Sequence, residues 1–248
     1  MYGGTVIEKY ISQIKGFVKE AKIEGYETSL DIESKKFTFM RDETLDTYLD
    51  EKEIDVIFNL DLKNNERLDR VRDLLIIGVW TGLRVSDLKR LNSFEISNNR
   101  IKIAGTEKNN AFVLIPIHPQ LKEIFKKYNG AFPNLSEQNF NLYVKEVCQV
   151  AGITEVILGS VKNPETNRKE VGYYPKYQTI SSHVCRRSFV SNHYGKLDDK
   201  TIMAVSTHKS HSQYMKYVKT TSKEHADKME KYWDEREEIK KETMKIVS

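Results

Sequence analysis

The period of apolar and polar positions changes twice along the chain. Over residues 5–24 apolar side chains recur every three or four positions, which predicts an amphipathic helix. Residues 94–117 instead form short apolar runs separated by Asn98-Asn99 and by GTEKNN, which predicts a three-stranded meander. Helical spacing returns after Pro119, a residue suited to the first turn of a helix. We therefore expect a mostly α fold with a small antiparallel β-sheet, in the α+β class.

Capping residues mark several of the predicted helix ends. Asp50 and Glu53 have the spacing of a capping box, which predicts a helix to about Asn59. A helix over Glu66–Trp80 is expected to end at Gly82, where glycine can adopt a left-handed conformation. Other N-caps are predicted at Ser86, at Ser136, at Ser181 or Ser182, and at Asp198.

The same patterns suggest four segments. Residues 1–25 hold one helix that cannot bury its own apolar stripe, and the polar residues 26–44 read as a linker. Residues 45–221 hold the main domain, and 222–248 form a charged helical tail. The apolar side of that tail carries Ala226, Met229, Trp233 and Ile239.

Composition narrows the class of protein only slightly. A net charge of +4, from 40 basic and 36 acidic residues, permits nucleic-acid binding without requiring it. The two cysteines, Cys148 and Cys185, lack a partner motif, which argues against a disulfide scaffold and fits a reducing cytoplasm. No apolar run approaches the roughly 20 residues needed to cross a bilayer, so we expect no membrane association.

The candidate chemistry is concentrated in the stretch SSHVCRRSFVSNHYGKLDDKTIMAVSTHKSHSQYMKY. His183 and Arg186 are three residues apart, so both face the same way from one helix. His208 is expected at a helix end, and Tyr214 and Tyr217 follow it as candidate nucleophiles. These residues alone do not choose between the two tyrosines. No cysteine or carboxylate stands at ligand spacing beside the histidines, so no metal site is predicted.

Two further cations precede this stretch. Arg84, in TGLRVSDL, is expected at the mouth of a helix, where backbone N–H groups and the helix dipole favour an anion. Lys108 lies in the turn GTEKNN, from which an ammonium group could protonate a leaving oxygen. Each alone reads as a surface residue. Several cations followed by a tyrosine suit phosphodiester cleavage by a tyrosine nucleophile.

Four segments carry a resemblance to the tyrosine recombinase (phage integrase) family. They are TGLRVSDL, GTEK followed by the strand ending IPI, SHVCRRSF, and THKSHSQYMKY, in the order of that family and within about residues 46–232. The resemblance selects Tyr217 over Tyr214 as the nucleophile. The catalytic residues that it implies are Arg84, Lys108, His183, Arg186, His208 and Tyr217.

The sequence departs from the family pattern at two positions. Arg187 stands where many members carry a second histidine, and Thr207 replaces the glycine usual before the second catalytic histidine. Residues 1–25 resemble the last helix of a core-binding domain that precedes the catalytic domain in the family. We therefore expect the chain to be a fragment of such a protein.

The resemblance implies a site-specific DNA recombinase, or integrase, that works through a 3′-phosphotyrosyl intermediate. The implied partners are double-stranded DNA and a homo-tetramer in the synaptic complex, with a monomer in the absence of DNA. Arg187 and Lys209 are expected to contact DNA. The resemblance also implies that no cofactor is needed and that the protein is located in the cytoplasm, associated with the nucleoid. The tail 222–248 is expected to pack on its own chain or to exchange with a neighbouring protomer.

Three other readings fit parts of the sequence. A type IB topoisomerase would use the same chemistry to relax supercoils without a sequence requirement. A catalytically silent DNA-binding fragment would bind in a salt-dependent way and form no adduct. A helical interaction protein with coincidental motifs would not bind DNA even at low salt.

Overall fold

A computed structural model describes residues 4–28, 34, 37, 45–105, 112–130, 132–220 and 222–247. The chain divides into two compact units. The first comprises residues 1–45 and 158–173, and the second comprises 46–157 and 174–248. All candidate site residues belong to the second unit, although Lys108 lies outside the described residues.

The fold is mostly α with little β-sheet, as the sequence predicted, although the structure has two small sheets and the sequence analysis predicted one. The helices are α1 Gly4–Ile23, α2 Glu51–Phe58, α3 Glu66–Thr81, α4 Val85–Leu88, α5 Pro119–Lys127, α6 Glu137–Val150, α7 Lys176–Thr179, α8 His183–His193, α9 Asp199–Ser206, α10 His211–Met215 and α11 Ser222–Val247. The strands are β1 Glu95–Ser97, β2 Arg100–Ala104, β3 Phe112–Pro116, β4 Val156–Lys162 and β5 Lys169–Pro175. A 3₁₀ turn spans Leu91–Ser93.

Strands β1, β2 and β3 form the predicted antiparallel meander. Both residues of the Asn98-Asn99 turn have positive φ, of 51° and 58°, as a tight hairpin turn requires. Ile101 and Ile103 alternate inward from β2, while Arg100 and Lys102 lie on the other face of the strand. Strands β4 and β5 pair separately in a two-stranded sheet.

Local capping signals placed most helix boundaries correctly. The Asp50–Glu53 capping box is present, with reciprocal hydrogen bonds of 2.8 and 2.9 Å. Gly82 ends α3 at φ 64°, ψ 11°. Side-chain caps also come from Ser136 and Asp198.

Three local predictions were wrong. Arg84, not Ser86, occupies the N-cap of α4, because the chain turns into that helix directly after Leu83. Ser182 precedes α8 in a helical conformation and gives it no side-chain cap. Tyr217 lies in the turn after α10, which already ends at Met215, rather than on the helix itself.

Helix α3 is the central element of the second unit and packs against α2, α5, α6 and α8. Its approach to α8 is close, because a Cβ placed on Gly78 would lie 2.5 Å from the sulfur of Cys185. Both cysteines are buried and unbridged. This contact brings the end of α3 beside Arg186, one residue after Cys185. Among the described residues, no helix is long and apolar enough to span a bilayer.

Candidate active site

Arg186 is the most buried cation of the site, with 2% of its surface exposed. Its Nη1 donates to the carbonyl oxygen of Gly82 over 3.1 Å, and its Nε donates to Nε2 of His208 over 3.3 Å. The remaining nitrogen, Nη2, is buried and has no hydrogen-bond partner among the described residues. Buried N–H groups are normally paired, so this donor is available to an acceptor that enters the site.

The surroundings of Arg186 destabilise its positive charge. Burial, and secondly the neighbouring charge of Arg84, lower the pKa of Arg186 to about 10. The Tyr217 hydroxyl and the buried Asp87 act in the opposite direction. Arg186 therefore remains a cation at neutral pH, and an anion beside it would relieve both of the destabilising effects.

His208 lies beside Arg186 and is 9% exposed. Its Nδ1 is 2.8 Å from the hydroxyl of Ser206, and its backbone N–H donates to the carbonyl oxygen of Met203 over 3.1 Å. Burial, together with the charges of Arg186 and Arg84, lowers the pKa of His208 to about 3. His208 is therefore neutral at neutral pH.

Arg84 lies close enough to act on both Arg186 and His208. Its backbone is extended at the N-cap of α4, and its Nη1 donates to Oγ1 of Thr207 over 3.2 Å. Thr207 caps the C-terminus of α9 in the left-handed region, at φ 57° and ψ 35°. The turn that a glycine would make more easily is thus formed by threonine, which adds a hydroxyl acceptor for Arg84.

The two candidate tyrosines have different surroundings. Tyr214 is fully buried, and its hydroxyl donates to Oδ1 of Asp199 over 2.9 Å. Tyr217 is half-buried, with its ring centroid 4.7 Å from that of His208 and 5.4 Å from the guanidinium carbon of Arg186. Tyr214 is therefore a packing residue, and Tyr217 is the tyrosine that lines the site.

Helix α8 also fixes the segment that carries Tyr217. The hydroxyl of Ser191 donates to the backbone oxygen of Tyr217 over 3.2 Å. The same hydroxyl accepts from the backbone N–H of Lys219 over 2.9 Å. The backbone of the tyrosine is thus tied to the helix that supplies Arg186.

His183 and Arg187 flank the site on the first turns of α8. His183 is exposed, and partial desolvation of its ring together with the charge of Arg187 lowers its pKa. Arg187 forms a 2.6 Å ion pair with Asp46. The ring of His183 is therefore neutral at neutral pH and has a lone pair that can accept a proton. The guanidinium group of Arg187, in contrast, is already paired with a carboxylate.

For Lys209 and Lys108, the other two predicted site residues, the described part of the chain gives no contact within the site. Lys209 is exposed directly after His208. The described residues contain no group of histidine, cysteine and carboxylate side chains suited to a metal ion. Lys108 lies outside the described residues, so its role in the site stays a prediction from the sequence.

Sequence reasoning overlooked three groups that contact the predicted residues. These are the carbonyl oxygen of Gly82, the hydroxyl of Ser206 and the hydroxyl of Thr207. Only Thr207 carried a signal, since it departs from the family pattern at a turn. The roles of the Gly82 carbonyl and the Ser206 hydroxyl have no such signal in the sequence, because they depend on contacts made only in the fold.

The sequence matches no protein-family model and no curated protein at a significant level. Solved structures do match. A lambda integrase dimer bound to a COC′ core site is 17% identical with a TM-score of 0.58, over 85% of this chain and 71% of that one. The Tn1549 transposon integrase in complex with transposon right-end DNA is 12% identical with a TM-score of 0.64, over 93% and 80%. XerA recombinase is 14% identical with a TM-score of 0.53, over 90% and 73%.

These matches, at low identity, concern the fold. The chain has the fold of the catalytic domain of tyrosine recombinases, with its small antiparallel sheets, as the sequence resemblance implied. No match is close enough in sequence to transfer an activity, which must be argued from the side chains.

Proposed function

We propose that this chain is a site-specific DNA recombinase, or integrase, that cleaves and rejoins DNA through a 3′-phosphotyrosyl intermediate. One observation carries the proposal. The buried Nη2 of Arg186 lacks an acceptor, and the ring of Tyr217 lies 5.4 Å from the same guanidinium group. An unpaired cationic donor beside a half-buried tyrosine suits a phosphodiester that is attacked by the tyrosine.

The proposed reaction begins with attack by the hydroxyl oxygen of Tyr217 on the scissile phosphorus. The P–O5′ bond breaks, and the phosphate becomes an ester of the tyrosine. Arg186 and Arg84 stabilise the charge that develops on the non-bridging oxygens. The bond energy is kept in the new ester, so that a free 5′ hydroxyl can later reverse the step and release Tyr217.

Two proton transfers accompany this exchange. A phenol ordinarily has a pKa of about 10, so its attack near neutral pH requires a base. His183, whose pKa is lowered, is neutral there and is proposed to take the proton of Tyr217. Lys108 is proposed to give a proton to the departing 5′ oxygen, on the sequence resemblance alone.

The proposed partner is double-stranded DNA. In support, the similar lambda integrase dimer is bound to a COC′ core site and the similar Tn1549 integrase is in complex with transposon right end DNA. Lys209 is exposed beside the site and is proposed to contact the phosphate backbone. Arg187 would have to share its guanidinium between Asp46 and a phosphate. Its contribution to DNA binding is therefore proposed to be smaller than that of Lys209.

The tail helix α11 is proposed to dock on a neighbouring protomer of a DNA-bound tetramer. Its first turns contact their own chain, since Lys228 Nζ donates to the carbonyl oxygen of Tyr194 over 2.8 Å. Further along, Met229 and Trp233 are 50% and 61% exposed. Exposed large apolar side chains in such a position suit an interface between protomers.

The proposal is tested by incubating the protein with nicked duplex oligonucleotides, so that cleavage releases a short fragment and traps the adduct. After denaturation, a protein band linked to the 3′ end of the DNA is expected. A band that forms on any sequence, with relaxation of supercoiled plasmid, would indicate topoisomerase-like action instead. Salt-dependent binding without an adduct would indicate a DNA-binding module and contradict the proposal.

A further inference from the structure

Ser206, the last residue of α9, has a buried hydroxyl group with two neighbours. Its Oγ lies 2.6 Å from the carbonyl oxygen of Ile202 and 2.8 Å from Nδ1 of His208. A hydroxyl has one hydrogen, and a carbonyl oxygen can only accept. The hydroxyl therefore donates to Ile202 and must accept from His208, which places a hydrogen on Nδ1.

The other ring nitrogen of His208 gives the same assignment independently. Nε2 lies 3.3 Å from Nε of Arg186, and a guanidinium N–H can only donate. Nε2 must therefore carry the lone pair. Two contacts from different helices thus agree on one neutral form of His208, with its hydrogen on Nδ1.

This form is unsuited to a bound phosphate. A phosphate oxygen is an acceptor, and Nε2, which faces Arg186, has no hydrogen to offer it. Nε2 must gain a hydrogen, either by adding a second proton to the ring or by exchange of the two neutral tautomers. The charged groups that act on His208 are Arg186 of α8 and Arg84 at the start of α4, and both oppose a second proton.

The uncharged groups around the ring do not offset these cations. Tyr214 of α10 and Tyr217 of the following turn present aromatic rings to His208, at centroid distances of 5.9 and 4.7 Å. Asp87 acts on Arg186 and is not among the groups that shift His208. In the ligand-free site a second proton on the ring is therefore costly, whereas exchange of tautomers leaves the ring neutral.

We propose that Ser206 is a positioning residue that lets His208 exchange its neutral tautomer when a phosphodiester binds. The hydroxyl of Ser206 rotates from the carbonyl of Ile202 to donate into Nδ1. Nδ1 loses its hydrogen to solvent, and Nε2 takes one from solvent and donates it to a phosphate oxygen. The Nε–H of Arg186, which thereby loses Nε2 as its acceptor, donates to the bound phosphate instead. The net proton uptake is zero. The second half of this inference rests on the proposed function, while the first concerns the ligand-free protein alone.

The carbonyl oxygen of Ile202 can lose this contact at little cost. It lies inside α9, where backbone N–H groups satisfy the carbonyls, and a carbonyl oxygen has a second lone pair. A serine hydroxyl bonded to the carbonyl four residues earlier is a weak additional contact. The exchange therefore leaves no buried acceptor without a partner.

The first test is ¹⁵N NMR of the imidazole rings of the full chain at pH 7, with His208 assigned by its loss in His208→Gln. The ligand-free protein is expected to show a protonated Nδ1 and a bare Nε2. A protonated Nε2, or a doubly protonated ring, would overturn the inference without any reference to DNA chemistry.

The second test adds inorganic phosphate and follows the same signals. Phosphate is expected to move the hydrogen from Nδ1 to Nε2, and Ser206→Ala to weaken phosphate binding about tenfold, the effect of one hydrogen bond. Ser206→Thr keeps the hydroxyl and should restore the exchange. Ser188→Ala removes a buried hydroxyl that accepts from Leu49 instead, and it should leave the exchange unchanged.

The outcomes separate the two proposals. A doubly protonated ring in the phosphate complex, or equal phosphate affinity in Ser206→Ala and the wild type, would overturn the role of Ser206. Failure of phosphate to shift the Nε–H signal of Arg186 would count against the proposed function. In that case the spectrum of the ligand-free protein would still decide the tautomer of His208.

Discussion

Arg84 donates a hydrogen bond from Nη1 to Oγ1 of Thr207 over 3.2 Å, across 123 positions of the chain. Thr207 directly precedes His208 and adopts φ 57°, where a β-branched residue is strained. A left-handed conformation costs an L-residue about 1–2 kcal/mol. The threonine therefore combines an unfavourable backbone with a contact that orients one of the two site arginines.

Replacing Thr207 should separate these two effects. Thr207→Gly removes the backbone strain and the acceptor together, so we expect higher stability by about 1 kcal/mol and slower adduct formation. Thr207→Ser keeps the hydroxyl and should cleave nearly as fast as the wild type. Urea unfolding and the trapping assay measure the two quantities. Equal cleavage by the glycine and serine variants would show that the Arg84 contact has no role.

Gly82 should tolerate no side chain, because it links Arg186 to α3. An added Cβ would lie 2.6 Å from a ring carbon of Phe189, and the carbonyl of Gly82 would shift away from Nη1 of Arg186. We expect Gly82→Ala to be destabilised by about 2–4 kcal/mol, from overpacking and a left-handed backbone.

A matched control for this variant is Gly130→Ala. Gly130 also has a positive φ, of 84°, but nothing lies within 4 Å of its added Cβ. It should lose about 1–2 kcal/mol from backbone strain alone and keep full adduct formation. Equal losses of stability in the two variants would contradict the close approach of Gly82 to Phe189.

His208 should make the stability of the protein depend on pH. Its pKa is about 3 in the folded chain and about 6.5 in an unfolded one, so the unfolded state binds the extra proton between these values. Stability should therefore fall as pH decreases through this window, by about 2 kcal/mol from pH 6.5 to 4.5 relative to His208→Gln.

Urea unfolding at each pH measures this difference. The contribution of His183, whose pKa is also lowered, has the same sign and cancels because both proteins retain it. Parallel pH profiles for the wild type and His208→Gln would show that burial of His208 does not exclude its charged form.

The exposed face of α11 should matter for assembly rather than for cleavage. Trp233→Ala is expected to weaken multimeric protein–DNA complexes while single-site adduct formation stays unchanged, because a buried aromatic anchor contributes most to an interface. Native gels with a labelled DNA site measure both forms. Tyr232→Ala removes a neighbouring aromatic that is 51% exposed and serves as the control. Normal multimers with Trp233→Ala would contradict docking through this residue.

The sequence allowed prediction of elements whose signals are local. The Asp50–Glu53 capping box, the left-handed Gly82 and the Asn98-Asn99 turn each depend on a few adjacent residues, and all three are present. The order of the family motifs likewise led to the prediction that Arg84, Arg186, His208 and Tyr217 share one site. Their arrangement in the second unit brings Arg186, His208 and Tyr217 into contact.

The details of the site depend on contacts between distant parts of the chain. The residues alone left Tyr214 and Tyr217 as equal candidates until the family resemblance was applied, because the hydrogen bond of Tyr214 to Asp199 joins two different helices. The ion pair of Arg187 with Asp46 joins α8 to a segment about half the chain away, and no spacing rule predicts it. The N-cap at Arg84 escaped prediction because arginine lacks the short polar side chain that marks such positions.

The measurement that tests the central claim most directly is covalent trapping with two single-residue variants. Wild type, Tyr217→Phe and Tyr214→Phe are each incubated with nicked duplex DNA, denatured and resolved by electrophoresis. Tyr217→Phe should form no adduct and still bind DNA. Tyr214→Phe should lose stability, because it loses the hydrogen bond to Asp199, and still form the adduct. A persistent adduct in Tyr217→Phe, or its loss only in Tyr214→Phe, would contradict the assignment of the nucleophile.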